Sequence, residues 1–185
     1  MVDETLQEAK GKMRGAIEHT RDEFGGIRTG RASPAIVQKI TVDYYGAPTP
    51  LQQLAGISVP DPRSLLITPY DRNAIQAIGK AIQASDIGIT PSDDGQAIRL
   101  IFPQLTEERR DELKKIVRDR AEQGRVAIRN VRRHAKEEIE SSQKAGDVSE
   151  DEMHRAEKEL QKLTDSFIAE VDEMLERKEA ELSEV

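Results

Sequence analysis

Cysteine is absent from the 185-residue chain, which excludes a disulfide framework, a thiol nucleophile and any Cys-ligated zinc or iron-sulfur centre. Tryptophan is absent too, and aromatic residues make up only 3% of the sequence. With 34% charged and 36% hydrophobic residues, that is the mix of long amphipathic helices rather than of an all-β core. No run approaches the roughly 18 consecutive apolar residues that a membrane-spanning helix needs. Met1-Val2-Asp3-Glu4 is followed by neither a basic nor an apolar stretch, so neither a signal peptide nor a transit peptide is read. A soluble, monomeric protein of a reducing, cytoplasmic compartment is expected, with no membrane partner.

Catalytic motifs are equally scarce. His19, His134 and His154 fall on separate predicted helices without metal-ligand spacing, and no zinc-protease motif or Gly-rich phosphate loop with Lys-Ser/Thr occurs. Asp93-Asp94-Gly95 resembles a paired-carboxylate site, but Pro91, Ser92 and Gly95 around it spell a turn. No metal, cofactor or enzymatic activity is expected, and any nucleotide energy must come from a partner.

What the sequence does have is apolar residues at helical spacing. Leu6, Ala9, Met13, Ala16, Ile17, Thr20, Phe24 and Ile27 recur every three or four positions, as one face of a helix requires. That helix is expected to stop near Gly30, with Pro34 discouraging continuation. A second series, Leu113, Ile116/Val117, Ala121, Gly124, Ile128, Val131, Ala135 and Ile139, follows Thr106-Glu107-Glu108 and predicts a helix of roughly 35 to 40 residues, about 55 Å long. Gly146 offers its stop, and Ser149-Glu150-Asp151-Glu152 matches a capping box. The third series, Met153, Ala156, Leu160, Leu163, Phe167, Val171, Met174/Leu175 and Leu182, keeps nearly heptad spacing.

Between the first two helices the texture changes. Residues 36–45 and 64–70 are rich in β-formers and bounded by Gly and Pro. Asp71 is placed to cap a short helix over 72–84 with an apolar face of Ala74, Ile75, Ile78 and Ile82. Residues 88–90 and 97–102 flank the turn 91–95. The fold class predicted is α+β: a long antiparallel three-helix bundle from residues 1–30 and 104–185, with a small β/α/β domain inserted at 31–103. Two linkers then cross the boundary, and Gly30, Ser33, Pro34 and Pro103 make them a candidate hinge.

A formal charge of −7 argues superficially against a nucleic-acid partner, but its distribution is uneven. Residues 1–30 carry about −1 and 31–108 about −2, whereas 109–136 carry about +7 and 137–185 about −11. At 100° per residue, Lys114, Lys115, Arg118, Arg125, Arg129, Arg132, Arg133 and Lys136 fall on one arc beside the apolar face of the second helix, interrupted only by Asp111 and Glu122. Arginine outnumbers lysine there, which suits bidentate grasp of phosphate by planar guanidinium groups. Two readings stand at this point: a rigid basic stripe that tracks an RNA backbone, or a solvated face whose arginines pair with acidic residues of the third helix. Aromatic residues are not interleaved, so shape and phosphate recognition of a folded RNA fits better than base stacking. Tyr44 and Tyr45, in a predicted strand, should point one inward and one outward. A helical scaffold or chaperone-like protein-interaction factor is the competing class, and it requires an exposed apolar stripe.

Four segments carry a resemblance: Ile27-Arg28-Thr29-Gly30-Arg31-Ala32-Ser33-Pro34, Tyr44-Tyr45-Gly46-Ala47-Pro48-Thr49-Pro50-Leu51, Leu105-Thr106-Glu107-Glu108-Arg109-Arg110 and Val126-Ala127-Ile128-Arg129-Asn130-Val131-Arg132-Arg133. Each resembles the ribosome recycling factors, and the likeness runs from end to end. It implies an L-shaped, tRNA-sized translation factor that enters the ribosome after termination. With elongation factor G and its GTP hydrolysis, such a factor separates the subunits without hydrolysing anything itself. It further implies a bundle that contacts large-subunit ribosomal RNA, with Arg28, Arg31, Arg110, Arg129, Arg132 and Arg133 as the contacts and Arg132 foremost. Two departures are visible: Gly124 stands where the family commonly has Ala, and His134 replaces a common acidic residue.

Overall fold

The computed structural model describes residues 1–184. The chain divides into two compact units, one of Met1–Arg28 together with the chain from Glu107 onward, the other of Thr29–Thr106.

The first unit is three helices: α1 (Val2–Gly25), α4 (Glu107–Lys144) and α5 (Glu150–Ser183). Each packs against both others. α1 and α4 run antiparallel, since Thr5 meets Glu138 and Glu23 meets Arg120. α5 runs antiparallel to α4 in turn. The interior is the apolar face that periodicity requires, with Met13, Ile17, Val117, Ile128, Leu160 and Val171 at most 2% exposed.

Three threonines also lie in this core: Thr5, Thr20 and Thr164. The Thr20 and Thr164 hydroxyls donate to the carbonyls of Ala16 (2.9 Å) and Leu160 (2.7 Å), one turn back. A hydroxyl satisfied inside its own helix adds no unpaired polar group to the seam.

α1 ends at Gly25, five residues short of the expected stop at Gly30. Gly25-Gly26 are two consecutive poor helix formers. Gly30 does take the left-handed conformation (φ +77), but inside the following linker, where an added Cβ would lie 3.2 Å from the Leu105 side chain. α4 spans 38 residues, within the expected length, and stops before Gly146 at φ +81. The capping box that opens α5 is complete: the Ser149 hydroxyl accepts from the Glu152 backbone N–H, and the Glu152 carboxylate accepts from that of Ser149.

Gly124 has a packing reason. It is buried against α1, where an added Cβ would stand 2.5 Å from the Thr20 hydroxyl oxygen. Gly124→Ala therefore gains about 1 kcal/mol of helix propensity and loses about 1–3 kcal/mol to overpacking. The single substitution should lower stability in urea unfolding. In a Thr20→Ala background the sign should reverse, and additive effects would contradict the assigned contact.

The second unit holds a hairpin of β1 (Thr41–Tyr44) and β2 (Ala47–Pro50), one helical turn α2 (Leu51–Leu54), and the strands β3 (Ala55–Asp61), β4 (Ser64–Pro69), β5 (Ser92–Asp93) and β6 (Ile98–Ile101). β3 to β6 form an antiparallel sheet in the order β3-β4-β6-β5. The helix α3 (Ile75–Ala84) follows a 3-10 turn whose N-cap, Asp71, accepts from the Asn73 N–H at 2.9 Å. Ala74, Ile75, Ile78 and Ile82 join Leu65, Ile67, Ile98 and Leu100 in one core.

Three expectations for this unit are corrected. The strand expected over 36–45 is only Thr41–Tyr44, because Pro34 starts a 3-10 turn through Ile36. Residues 88–90 form no strand; the hairpin partner is Ser92–Asp93, and the turn tightens onto 94–97. β2 and β3, where prolines mask strand character, enlarge the simple β/α/β plan. Pro48 and Pro50 lie in a two-stranded ribbon and Pro60 at a register shift on the sheet edge, the places where a missing N–H is tolerated. Asp93 and Asp94 are turn residues: their carboxylates accept from the N–H groups of Gly95, Gln96 and Ala97 at 2.9–3.0 Å. The bonds from Ala97 and Gln96 hold the Asp94 carboxyl below the usual range.

Candidate nucleic-acid interface

The basic stripe runs along α4 beside its seam with α5, and its cations have different fates. Near the start of α4, Arg110 and Lys114 are half-buried and Lys115 is exposed. Among the described residues none of the three has a carboxylate at ion-pair distance.

Farther along, the acidic-partner alternative describes two residues. The Arg118 Nε donates to Glu179 of α5 at 2.5 Å. Arg125, its side chain 18% exposed, donates to Asp172 of α5 at 2.7 Å and to Glu122 at 3.1 Å. Burial acts to lower the Arg125 pKa, but hydrogen bonds to Asp172 and Glu122 carry it above its ordinary value. These two guanidinium groups are neutralised within the bundle.

Beyond Arg125 the pattern changes. Arg129 pairs at 3.1 Å with Glu122 of its own helix, and hydrogen bonds from Arg125 and Arg129 hold that carboxyl below the usual range. With Asp172 also on Arg125, two carboxylates face these two guanidinium groups, and the uncompensated charge begins at Arg132. Arg132 is half-buried and donates to the side-chain carbonyl of Gln161 at 3.2 Å. Arg133 is exposed, and Lys136 reaches Glu140 only at 3.8 Å. Among the described residues neither Arg132 nor Arg133 has a carboxylate at ion-pair distance.

These residues line one wall of a groove of about 860 Å³ between α4 and α5, whose other wall is His154, Glu157, Lys158 and Gln161. Lys158 adds a cation from a helix that is acidic overall, while the His154 imidazole lies beside Glu150 and Glu157. Periodicity along α4 singles out its own cations. It cannot name those of α5, because which α5 residues face the groove depends on the antiparallel register of the two helices.

Arg28 and Arg31 are exposed; Arg28 closes the first unit and Arg31 lies in the second. The candidate hinge residues Gly30, Ser33 and Pro34 are half-buried, and Pro103 is exposed. The second unit carries a separate feature at the end of β1. Tyr44 is half-buried and Tyr45 is 77% exposed, as alternation requires, with φ +50 at Tyr45. Both phenols donate to Asp71, at 2.9 and 3.5 Å.

Among the described residues no group of three potential metal ligands occurs, and no helix is long and apolar enough to cross a membrane.

Comparison with known proteins agrees with this fold. The family model for ribosome recycling factor matches residues 20–182. The chain is 55% identical over 185 residues to the ribosome-recycling factor of Salinispora arenicola and 54% identical to that of Thermobifida fusca, covering all of each protein. It is similar to a solution structure of ribosome recycling factor, with 43% identity and a TM-score of 0.81, covering 100% of this chain and 98% of that one. A second similar structure (46% identity, TM-score 0.67, 98% of each chain) is a model of the T. thermophilus factor, described together with E. coli elongation factor G bound to the E. coli post-termination complex. A helical bundle carrying an inserted sheet unit is thus the architecture of a class of translation factor. Within that class, the chain belongs to the ribosome recycling factor family.

Proposed function

We propose that the protein binds the post-termination ribosome and, with elongation factor G and GTP, splits the subunits so that ribosomes leave the message and are reused. The bundle docks on large-subunit ribosomal RNA through the distal half of the α4 stripe. The observation that carries this reading is the groove wall of Arg129, Arg132, Arg133 and Lys136, where two guanidinium groups have no carboxylate at ion-pair distance. Uncompensated guanidinium groups on a rigid helix suit phosphate, because each supplies several donors in a fixed plane. Arg110, Lys114 and Lys115 extend the contact toward the start of α4, with Arg28 and Arg31 at the chain crossing.

The protein acts in the cytoplasm by binding alone, and nucleotide hydrolysis belongs to its partner. The two crossings, with Gly30, Ser33, Pro34 and Pro103, serve as a hinge. Residual dipolar couplings should then need separate alignment tensors for the two units; one common tensor would contradict the hinge.

The scaffold reading receives no comparable support. The large apolar side chains exposed on α4 are Ile116 and Val126, at 38% and 44%. They stand ten residues apart, about 15 Å along the axis, and form no stripe.

Sedimentation of post-termination ribosomes tests the proposal. Free subunits should appear only when this protein, elongation factor G and GTP are all present. Splitting without this protein, or none with all three, would overturn it.

A further inference from the structure

The α4/α5 seam contains a repeated charge ladder that is interrupted at one rung. Arg118, Arg125 and Arg132 are spaced by seven residues along α4, and Glu179, Asp172 and Asp165 by seven in the opposite direction along α5. In antiparallel helices, positions advancing by one heptad on one side and receding by one on the other keep the same relation across the seam. The first two rungs are closed, Arg118 on Glu179 and Arg125 on Asp172. The same register offers Arg132 the carboxylate of Asp165, yet that pair does not form. Gln161 stands between them, its amide N–H₂ donating to Asp165 at 2.8 Å while its carbonyl accepts from Arg132 at 3.2 Å.

We infer that Gln161 is a positioning residue that keeps Arg132 available for RNA: its side-chain amide occupies Asp165 and holds Arg132 through a neutral acceptor. A primary amide suits this place because it has a donor end for the carboxylate and an acceptor end for the guanidinium. One Nη1 bond to a neutral carbonyl fixes the side chain without cancelling its charge, and Arg132 lines the groove. Glutamate at 161 would neutralise Arg132 outright. A residue without the amide would free Asp165 to close the third rung.

This inference rests on the proposed role of Arg132 in ribosome binding, and the test separates the two. Dissociation constants of the full-length chain for vacant ribosomes are measured at one salt concentration for six proteins: the natural chain, Arg132→Ala, Gln161→Ala, Asp165→Asn, Gln161→Ala/Asp165→Asn and Gln161→Ala/Arg132→Ala. Helicity by circular dichroism serves as the folding control, and alanine at an exposed helix position preserves the helix. Gln161→Ala should weaken binding by about five-fold, the scale of one competing ion pair at a partly exposed site. Asp165→Asn should restore binding in the Gln161→Ala chain and change little alone. Gln161→Ala should add nothing once Arg132 is gone. If Arg132→Ala binds normally, the reading of the groove and this inference both fall. If Arg132→Ala weakens binding but Gln161→Ala does not, or Asp165→Asn gives no rescue, only the inference fails. A further loss from Gln161→Ala in the Arg132→Ala chain would mean that Gln161 contacts RNA itself, which also overturns it.

Discussion

Replacing Arg129, Arg132 and Arg133 together by alanine should weaken ribosome binding by a factor of several hundred or more while leaving the fold intact. Hydrogen bonds to charged groups contribute roughly 1.5–3 kcal/mol each, so three contacts of even the lower value exceed a thousand-fold before non-additivity is allowed for. Stability should hardly change. Arg133 has no carboxylate at ion-pair distance, Arg132 meets only a neutral amide, and Arg129 loses one exposed pair with Glu122, an interaction worth at most about 1 kcal/mol. Equilibrium unfolding in urea and ribosome binding, measured on the same variant, check both halves of this expectation.

Ile128→Ala should do the opposite. Ile128 is fully buried in the bundle unit while its neighbour Arg129 is exposed. Truncating it removes buried methyl groups and leaves a cavity, a loss of about 2–5 kcal/mol in urea unfolding. Ribosome affinity of the folded fraction should stay within about two-fold, because no charge-bearing group is removed. Adjacent residues with separate effects on stability and binding would show that seam and stripe are distinct faces of one helix. A large binding loss from Ile128→Ala in the folded state would contradict that separation.

The three long helices are readable from the sequence because their apolar spacing, cap residues and stop glycines agree with one another. Ser149 to Glu152 spell the cap of α5, and Gly146 ends α4, each by a local mechanism. The sheet unit is less legible. Its second and third strands carry prolines at edges and at a register shift, where strand patterning is weakest. Thr164 escapes notice for a different reason: its type is polar, and only the bond to Leu160 one turn back makes it a core residue.

The site shows the same division between local and relational information. The α4 stripe follows from angle alone. Which of its arginines stay uncompensated depends on the register of α5, which pairs Arg118 and Arg125 but gives Arg132 an amide. Periodicity on a single helix therefore leaves both readings of the stripe open; the register of α5 supplies acidic partners to Arg118 and Arg125 and a neutral one to Arg132. Gly124 is a parallel case. Its propensity is read from the chain, whereas its reason lies on α1, at Thr20.

Salt dependence of ribosome binding tests the phosphate-contact account most directly. A plot of log affinity against log salt should fall steeply for the natural chain, each phosphate contact contributing a slope of about −0.9 through counterion release. The Arg129/Arg132/Arg133 triple-alanine variant should show a slope shallower by about two to three. Parallel lines for the two proteins would contradict a phosphate-binding groove between α4 and α5.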